Sequence, residues 1–384
     1  MNQIQTSSRP RNLAIDFFRG WALIVIFINH VPTNEWMLYT PSRFGFSDAS
    51  EIFVFLSGYA AALSYGRRYH AVGLGLTSLA TTYRCVQLYV CHLGLFLALS
   101  SICALANETF IKPDYIGKLN LHYFFDQTPE ALLYLVTLRY LPNFFDILPL
   151  YIVVLMGVPL LLEIRKYWPG MALIFPVLLY FASWYFNWHL SADPHSQRTW
   201  FFNPFPWQFM FFSGFAIASG WVKIPESKYL LWLCSMLIIL AMPLSYPILI
   251  ESNPYLREVR QLLEPFLDKT NLGPLRWLHL ITMALLIRAG LQSHPELLTH
   301  WFAKGFIKMG QQALPIFLTG MVLSFLGGIV LDQFGHAAFV LIIVNIGGIL
   351  LLTTLAYVIG WLDTKPWKQY RYQPEVLENC VTVS

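Results

Sequence analysis

Residues 14–33 read AIDFFRGWALIVIFINHVPT. A helix needs about 20 mostly apolar residues, at about 1.5 Å each, to cross the hydrocarbon core of a bilayer, and this stretch has that length and composition. It also carries Asp16, Arg19, Asn29 and His30. An ionisable side chain inside a span is expensive and needs a reason. Arg19 and His30 are eleven residues apart. At about 100° and about 1.5 Å per residue they share one helix face, separated by about 16 Å along the axis. The bland reading makes Arg19 a membrane-surface anchor paired with Asp16 and His30 an interfacial or core histidine. The sharper reading takes them together. A fixed cation at one mouth and a titratable base at the other suit a ligand with an anionic end and a reactive end.

The remaining sequence fits the same solvent. The chain has 384 residues, a net charge of +4, 56% hydrophobic and only 12% charged residues, and a mean hydropathy of +0.53. Soluble domains are about 25% charged, so this chain lacks the charge to solvate a water-facing surface. A water-soluble enzyme, a secreted domain and a disordered chain are excluded, and the lipid bilayer is the expected partner. The basic residues are scattered in ones and twos, so nucleic acid is not. Cys85, Cys91, Cys103, Cys234 and Cys380 form no CxxC and no metal spacing, and no metal is expected. There is no G-x-S-x-G, P-loop or dinucleotide fingerprint, and no cleavable leader is evident.

Ten candidate spans follow, near 14–33, 48–65, 83–106, 145–163, 170–190, 206–222, 229–250, 275–291, 311–332 and 337–362. The second and sixth are short. Residues 129–143 are apolar but too short, and read as either an interfacial helix or the start of the fourth span. With the N-terminus in the cytoplasm, the larger share of the 25 Lys and Arg falls on that side. The expected fold is all-α: about ten transmembrane helices, both termini cytoplasmic. The expected organisation is a cytoplasmic tail over 1–13, a single transmembrane domain over 14–362 and a cytoplasmic tail over 363–384.

The second span opens with Ser47-Asp48-Ala49-Ser50-Glu51. Asp48-x-x-Glu51 has the spacing of a helix capping box. Alternatively, one of these carboxylates orients the His30 imidazole and supports its charged form. Asp146, at the start of the fourth span, is an N-cap or a second acid facing the site. Asn203-Pro204 reads as a cap followed by the first helical residue, and Trp207 as part of an aromatic belt. Arg84, at the cytoplasmic start of the third span, is an anchor or joins Arg19 around an anion. His279 and Gln311-Gln312 read as packing or hydrogen-bonding residues.

Several blocks together resemble the OpgC family, a branch of the superfamily that includes membrane acyltransferase family 3. They are Asp16-Phe17-Phe18-Arg19-Gly20 leading to Asn29-His30; Phe44-Gly45-Phe46-Ser47-Asp48 leading to Phe53-Val54-Phe55-Leu56-Ser57-Gly58-Tyr59; Asp146-Ile147-Leu148-Pro149-Leu150-Tyr151; Phe202-Asn203-Pro204-Phe205-Pro206-Trp207-Gln208; and Gly310-Gln311-Gln312-Ala313-Leu314-Pro315. The last block departs from the family pattern at Gln312-Ala313. The resemblance implies a transferase of the bacterial inner membrane. It would move an acyl group from cytoplasmic acyl-CoA, with succinyl-CoA favoured, to a hydroxyl of a periplasmic glucan or other envelope sugar. Family 3 relatives carry Arg-x10-His on their first helix, matched by Arg19 and His30. By resemblance His30 is the general base and Arg19 contacts the CoA phosphates. Acyl-CoA is a co-substrate, and no permanently bound cofactor is implied.

The expected catalytic set is His30 with Glu51, Asp48 and Asp146, and the expected acyl-CoA contacts are Arg19 and Arg84. Direct attack by the acceptor hydroxyl and a covalent acyl-His both remain open. A sugar transporter or flippase is the competing class, weakened by the lack of sequence symmetry between the halves.

Overall fold

The computed structural model describes residues 12–111 and 113–368. Most of both expected tails, with Arg9, Arg11, Arg371 and Cys380, lies outside the described residues. Among the described residues the regular elements are helical, apart from one isolated bridge between Ser191 and Thr199.

Helix α1 spans Leu13–His30 and is capped by Asn12, whose side chain accepts from the Ala14 amide at 3.1 Å. Pro32 ends it, because a proline disfavours helical geometry just before itself and has no N–H to offer. Side chains take up the free carbonyls at this end. Ser324 Oγ donates to the Phe27 carbonyl at 2.9 Å, and Asn34 Nδ2 to the Ile28 carbonyl at 3.0 Å. Asn34 is in turn locked to buried Asn345 by a reciprocal amide pair at 2.8 and 3.1 Å. The end of α1 that carries His30 is therefore held from two sides.

Helix α2, Ala49–Ala61, continues through a π-helical turn, Ala62–Gly66, into α3, Arg67–Thr109. The sequence reading placed a loop between spans at 48–65 and 83–106, and the structure corrects it. Residues 67–82 contain no proline and stay helical except at Gly73, whose φ of 75° breaks the rod. Only glycine enters that region at low cost. Thr128–Val136 forms a separate helix, α4, so residues 129–143 do not begin the fourth span.

The remaining helices are α5 Ile147–Tyr167, α6 Met171–Tyr185, α7 Pro204–Ala218, α8 Lys228–Ala241, α9 Pro254–Leu263, α10 Pro274–Ser293, α11 Trp301–Gln311, α12 Ala313–Phe334 and α13 Ala338–Leu362. Shorter turns are named by residue. Helix α11 was not expected from sequence. Its glycines and lysines hide an apolar face that packs on α1 and α13.

Among the described residues, five helical stretches are long and apolar enough to cross a membrane: α1, the α2–α3 run, α5, α12 and α13. Helices α6 and α8 are apolar but shorter. The chain is thus an all-α, polytopic membrane protein. Its flanks agree, since α3 and α13 expose Leu76, Leu79, Val90, Leu97, Ile343 and Leu350. Such a surface is a liability in water and ordinary against lipid.

In lipid the helices gain nothing from leaving water, so close backbone packing must hold them together. Two crossings use glycine on both partners. Gly58 on α2 lies against the Phe211 carbonyl of α7, and Gly214 on α7 against the Phe55 carbonyl of α2. Likewise Gly20 on α1 meets the Phe306 carbonyl of α11, and Gly310 on α11 the Asp16 carbonyl of α1. A Cβ at any of the four would collide with backbone.

Candidate active site

A cavity of about 570 Å³ lies at the end of the bundle that carries His30. Its wall comes from Asn29 and His30 on α1, the segment Ser42–Ser50, residues around Asp146, the loop 198–202, and Arg260, Lys269 and Arg276. This volume suits a small substrate.

His30 is the last residue of α1. Its Nδ1 lies 2.8 Å from the Ile26 carbonyl one turn back. A carbonyl oxygen only accepts, so Nδ1 carries the proton of the neutral ring and Nε2 keeps its lone pair. The ring packs edge-on against Phe144, with centroids 5.1 Å apart. The backbone thus sets the tautomer. Neighbouring Asn29 is anchored as well: its Nδ2 donates to Ser42 Oγ and its Oδ1 accepts from Thr40 Oγ1, both at 2.9 Å.

Asp48 and Glu51 do form the capping box. Asp48 accepts from the Ser50 amide and Glu51 Oε2 from the Asp48 amide, both at 2.8 Å. They do not hydrogen-bond His30, as the sharper sequence reading had it. Their partners are cations of a distant segment. Lys269 Nζ is 2.5 Å from Asp48 Oδ2, and Arg276 Nε is 2.6 Å from Glu51 Oε1. Arg276 Nη2 also reaches Asp48 at 3.4 Å. Asp48 and Lys269 still act on His30 through space. Glu51 is fully buried, so its pairing is obligatory: a lone buried carboxylate would cost several kcal/mol.

The block Phe202–Gln208 holds Lys269 in place. Asn203 caps α7, accepting from the Phe205 amide at 3.3 Å, and its Nδ2 donates to Asn271 Oδ1 at 2.9 Å. Trp207 Nε1 donates to the Lys269 carbonyl at 2.9 Å. Tyr180 and Trp184 on α6 bind the Leu272 and Asn271 carbonyls at 2.9 and 3.0 Å. The loop 268–273 is strapped down along its length. Trp207 is fully buried, so the aromatic-belt reading is corrected: its ring is a brace within the protein.

Asp146 is buried and lines the cavity. It precedes α5, yet its side chain makes no capping bond there and instead accepts from the Phe201 amide at 2.9 Å. It therefore closes the loop 198–202 over the site. Arg19 and Arg84 do not reach this cavity. Deeper along α1 they act on each other and on Tyr151 through space, and Asp16 also acts on Arg19. The buried Nε of Arg19 has no hydrogen-bond partner among the described residues. Two guanidiniums that repel each other are an arrangement that an anion would relieve.

His279, read as a hydrogen-bonding residue, does bond: its Nδ1 is 2.7 Å from Ser47 Oγ. Gln312 donates to Asp363 at 2.7 Å. Sequence reasoning missed Lys269 and Arg276 as site residues. Arg276 had a signal, since it falls within the expected span 275–291. Lys269 had none. Among the described residues, no three His, Cys, Asp or Glu side chains come together as a metal site.

A family model described as "OpgC protein" matches residues 11–364. No curated protein and no solved structure matches the chain. The family match spans nearly the whole chain and includes both the His30 cavity and the Arg19–Arg84 pair. The chain belongs to the OpgC family: it is a multi-pass acyltransferase of the bacterial inner membrane that moves an acyl group from acyl-CoA to a periplasmic glucan or other envelope sugar.

Proposed function

We propose that His30 is the general base of this transfer and that the acyl group is succinyl. The observation that carries the first part is the Nδ1 bond to Ile26, which leaves Nε2 as a proton acceptor on a cavity large enough for a sugar unit. A hydroxyl is a weak nucleophile at neutral pH and needs such a base. Nε2 takes the proton of the acceptor hydroxyl as its oxygen attacks the thioester carbonyl. The tetrahedral intermediate then expels the CoA sulfur, and the imidazolium returns the proton to it. The products are an ester and free CoA, and the ring ends neutral. The acyl-His route, in which Nε2 itself attacks the carbonyl, uses the same lone pair.

Arg19 and Arg84 take the phosphates of CoA, and the thioester arm runs along α1 over the about 16 Å to His30. This reading sets the Arg19 end in the cytoplasm, with about ten helices crossing as one domain over 14–362, flanked by cytoplasmic tails. Lys269 and Arg276, fixed by Asp48 and Glu51, give the cavity a positive wall where charge develops on the thioester oxygen. Asp146 holds the 198–202 loop that closes the site.

The direct test is CoA release by purified protein in proteoliposomes, with and without a glucan acceptor. His30→Ala should lose about 10²- to 10⁴-fold in rate while still binding CoA. Full activity in that variant removes the proposed base. Acceptor movement across the vesicle without an acyl donor would favour a transporter instead.

A further inference from the structure

The wall of the His30 cavity is unbalanced in charge. Five cations line it, Arg43, Arg198, Arg260, Lys269 and Arg276, against two carboxylates, Asp48 and Asp146. Asp48 pairs with Lys269, and Glu51 behind the wall pairs with Arg276. Asp146 is spent on the Phe201 amide and comes within ion-pair distance of none of the five. Three arginines are left over.

None of the three forms an ion pair among the described residues, although Asp146 acts through space on Arg198 and Glu264 on Arg260. Arg43 touches only the sulfur of Met37, through Nη2 at 2.8 Å, and its buried Nε has no partner among the described residues. Arg198 donates to the Leu141 carbonyl and, at 3.4 Å, to Asn143 Oδ1. Arg260, on the extramembrane helix α9, has one long bond of 3.4 Å to the Leu244 carbonyl. Burial first, and then the charge of Arg276, pull its guanidinium below its ordinary value against an opposite pull from Glu264. Guanidiniums half-buried without an ion-pair partner carry a desolvation cost, and a ligand that supplies the missing charge would offset it. The reacting groups already assigned here, a sugar hydroxyl and a thioester carbonyl, are both neutral. The phosphates of CoA belong to Arg19 and Arg84, about 16 Å away along α1.

We propose that Arg43, Arg198 and Arg260 form an oxyanion-binding subsite beside His30, which seats a carboxylate or similar anionic group carried by one of the two reactants. Arg43 is its principal contact. Ser42, its chain neighbour, is tied to Asn29, the residue before His30, so the segment that carries Arg43 is held against the end of α1 that carries the base. Planar guanidinium forks match a carboxylate bidentately, and each charge-assisted pair is stronger than a neutral hydrogen bond. Two reactants could bring that group: the far end of a dicarboxylic acyl chain, or an anionic substituent on the glycan acceptor. The inference rests on the acyltransferase reading of this cavity.

The test compares matched substrates in reconstituted protein. One arm pairs succinyl-CoA with butyryl-CoA, which has a methyl in place of the carboxylate, on a neutral glucan. The other arm uses butyryl-CoA throughout and pairs an anionic glucan with a neutral one. Variants are Arg43→Gln, Arg198→Gln and Arg260→Gln, with Arg43→Lys as a charge-retaining control. Arg43→Gln should cut the preference for the anionic substrate about 10- to 100-fold in one arm, with butyryl transfer to neutral glucan preserved and Arg43→Lys partly restoring the preference. Loss in the first arm assigns the anion to the donor, and loss in the second assigns it to the acceptor. Preferences unchanged in both arms for all three variants overturn the subsite. Failure of the underlying reading looks different, because neither the unmodified protein nor any variant would then transfer succinyl or butyryl groups.

Discussion

His30 Nδ1 and the Ile26 carbonyl lie 2.8 Å apart within one helix, so the orientation of the imidazole is written into the backbone of α1. Many catalytic histidines are oriented by a carboxylate, and neutralising that carboxylate costs about 10⁴ in rate. Here neither nearby carboxylate holds the ring. Asp48→Asn should therefore lower kcat by no more than about 10-fold, whereas His30→Gln should lose about 10²–10⁴. Both should be measured as acyl transfer per folded molecule. An Asp48→Asn loss as deep as that of His30→Gln would restore the carboxylate as orienter.

The buried pair between Glu51 and Arg276 governs stability. Removing one partner strands the other charge, so Arg276→Met should destabilise by about 3–5 kcal/mol. The double variant Glu51→Gln with Arg276→Met should recover most of that loss. Thermal unfolding in detergent reads both effects. A double variant as unstable as the single one would mean that the pair acts by packing rather than charge.

At the other end of α1, Arg19→Ala should raise KM for acyl-CoA about 10- to 100-fold with little change in kcat, the pattern for lost uniform binding. Arg84→Ala should act in the same direction. Steady-state kinetics at saturating acceptor make the measurement. An unchanged KM in both variants would leave these residues as membrane anchors.

Trp207→Phe keeps the bulk of the ring and deletes the donor to the Lys269 carbonyl. Loss of that bond should cost roughly 1 kcal/mol and loosen the strap that carries Lys269. Activity should fall more than stability does. Equal thermal stability with full activity would show that the remaining bonds of the 268–273 loop suffice.

Gly58→Val and Gly214→Val place a side chain where backbone of the facing helix already sits. Overpacking of this kind costs about 1–3 kcal/mol when neighbours yield, and backbone yields least. Both variants should show reduced folded yield in size-exclusion chromatography, while Gly94→Val, which meets no neighbouring atom, should not.

Much of this was legible in the chain itself. Scarce charge named the solvent, and the regular elements that the structure describes are helical, because in a bilayer the backbone must satisfy its own hydrogen bonds; five stretches are long and apolar enough to cross, and the expected span 229–250 breaks after Ala241. Arg19 and His30 stood out as ionisable residues in an apolar run, and Asp48-x-x-Glu51 as a cap. These are local properties, set by residue type and short spacing. What the tertiary structure decided was which groups meet. Lys269 and Arg276 lie more than 200 residues from Asp48 and Glu51, and no periodicity links them. The choice of the Ile26 carbonyl over a carboxylate depends on a rotamer at a helix end. The unpaired state of Arg43 depends on which side chains fail to reach it. Contacts between distant segments arise only from packing, so the sequence named the chemistry and the fold chose the partners.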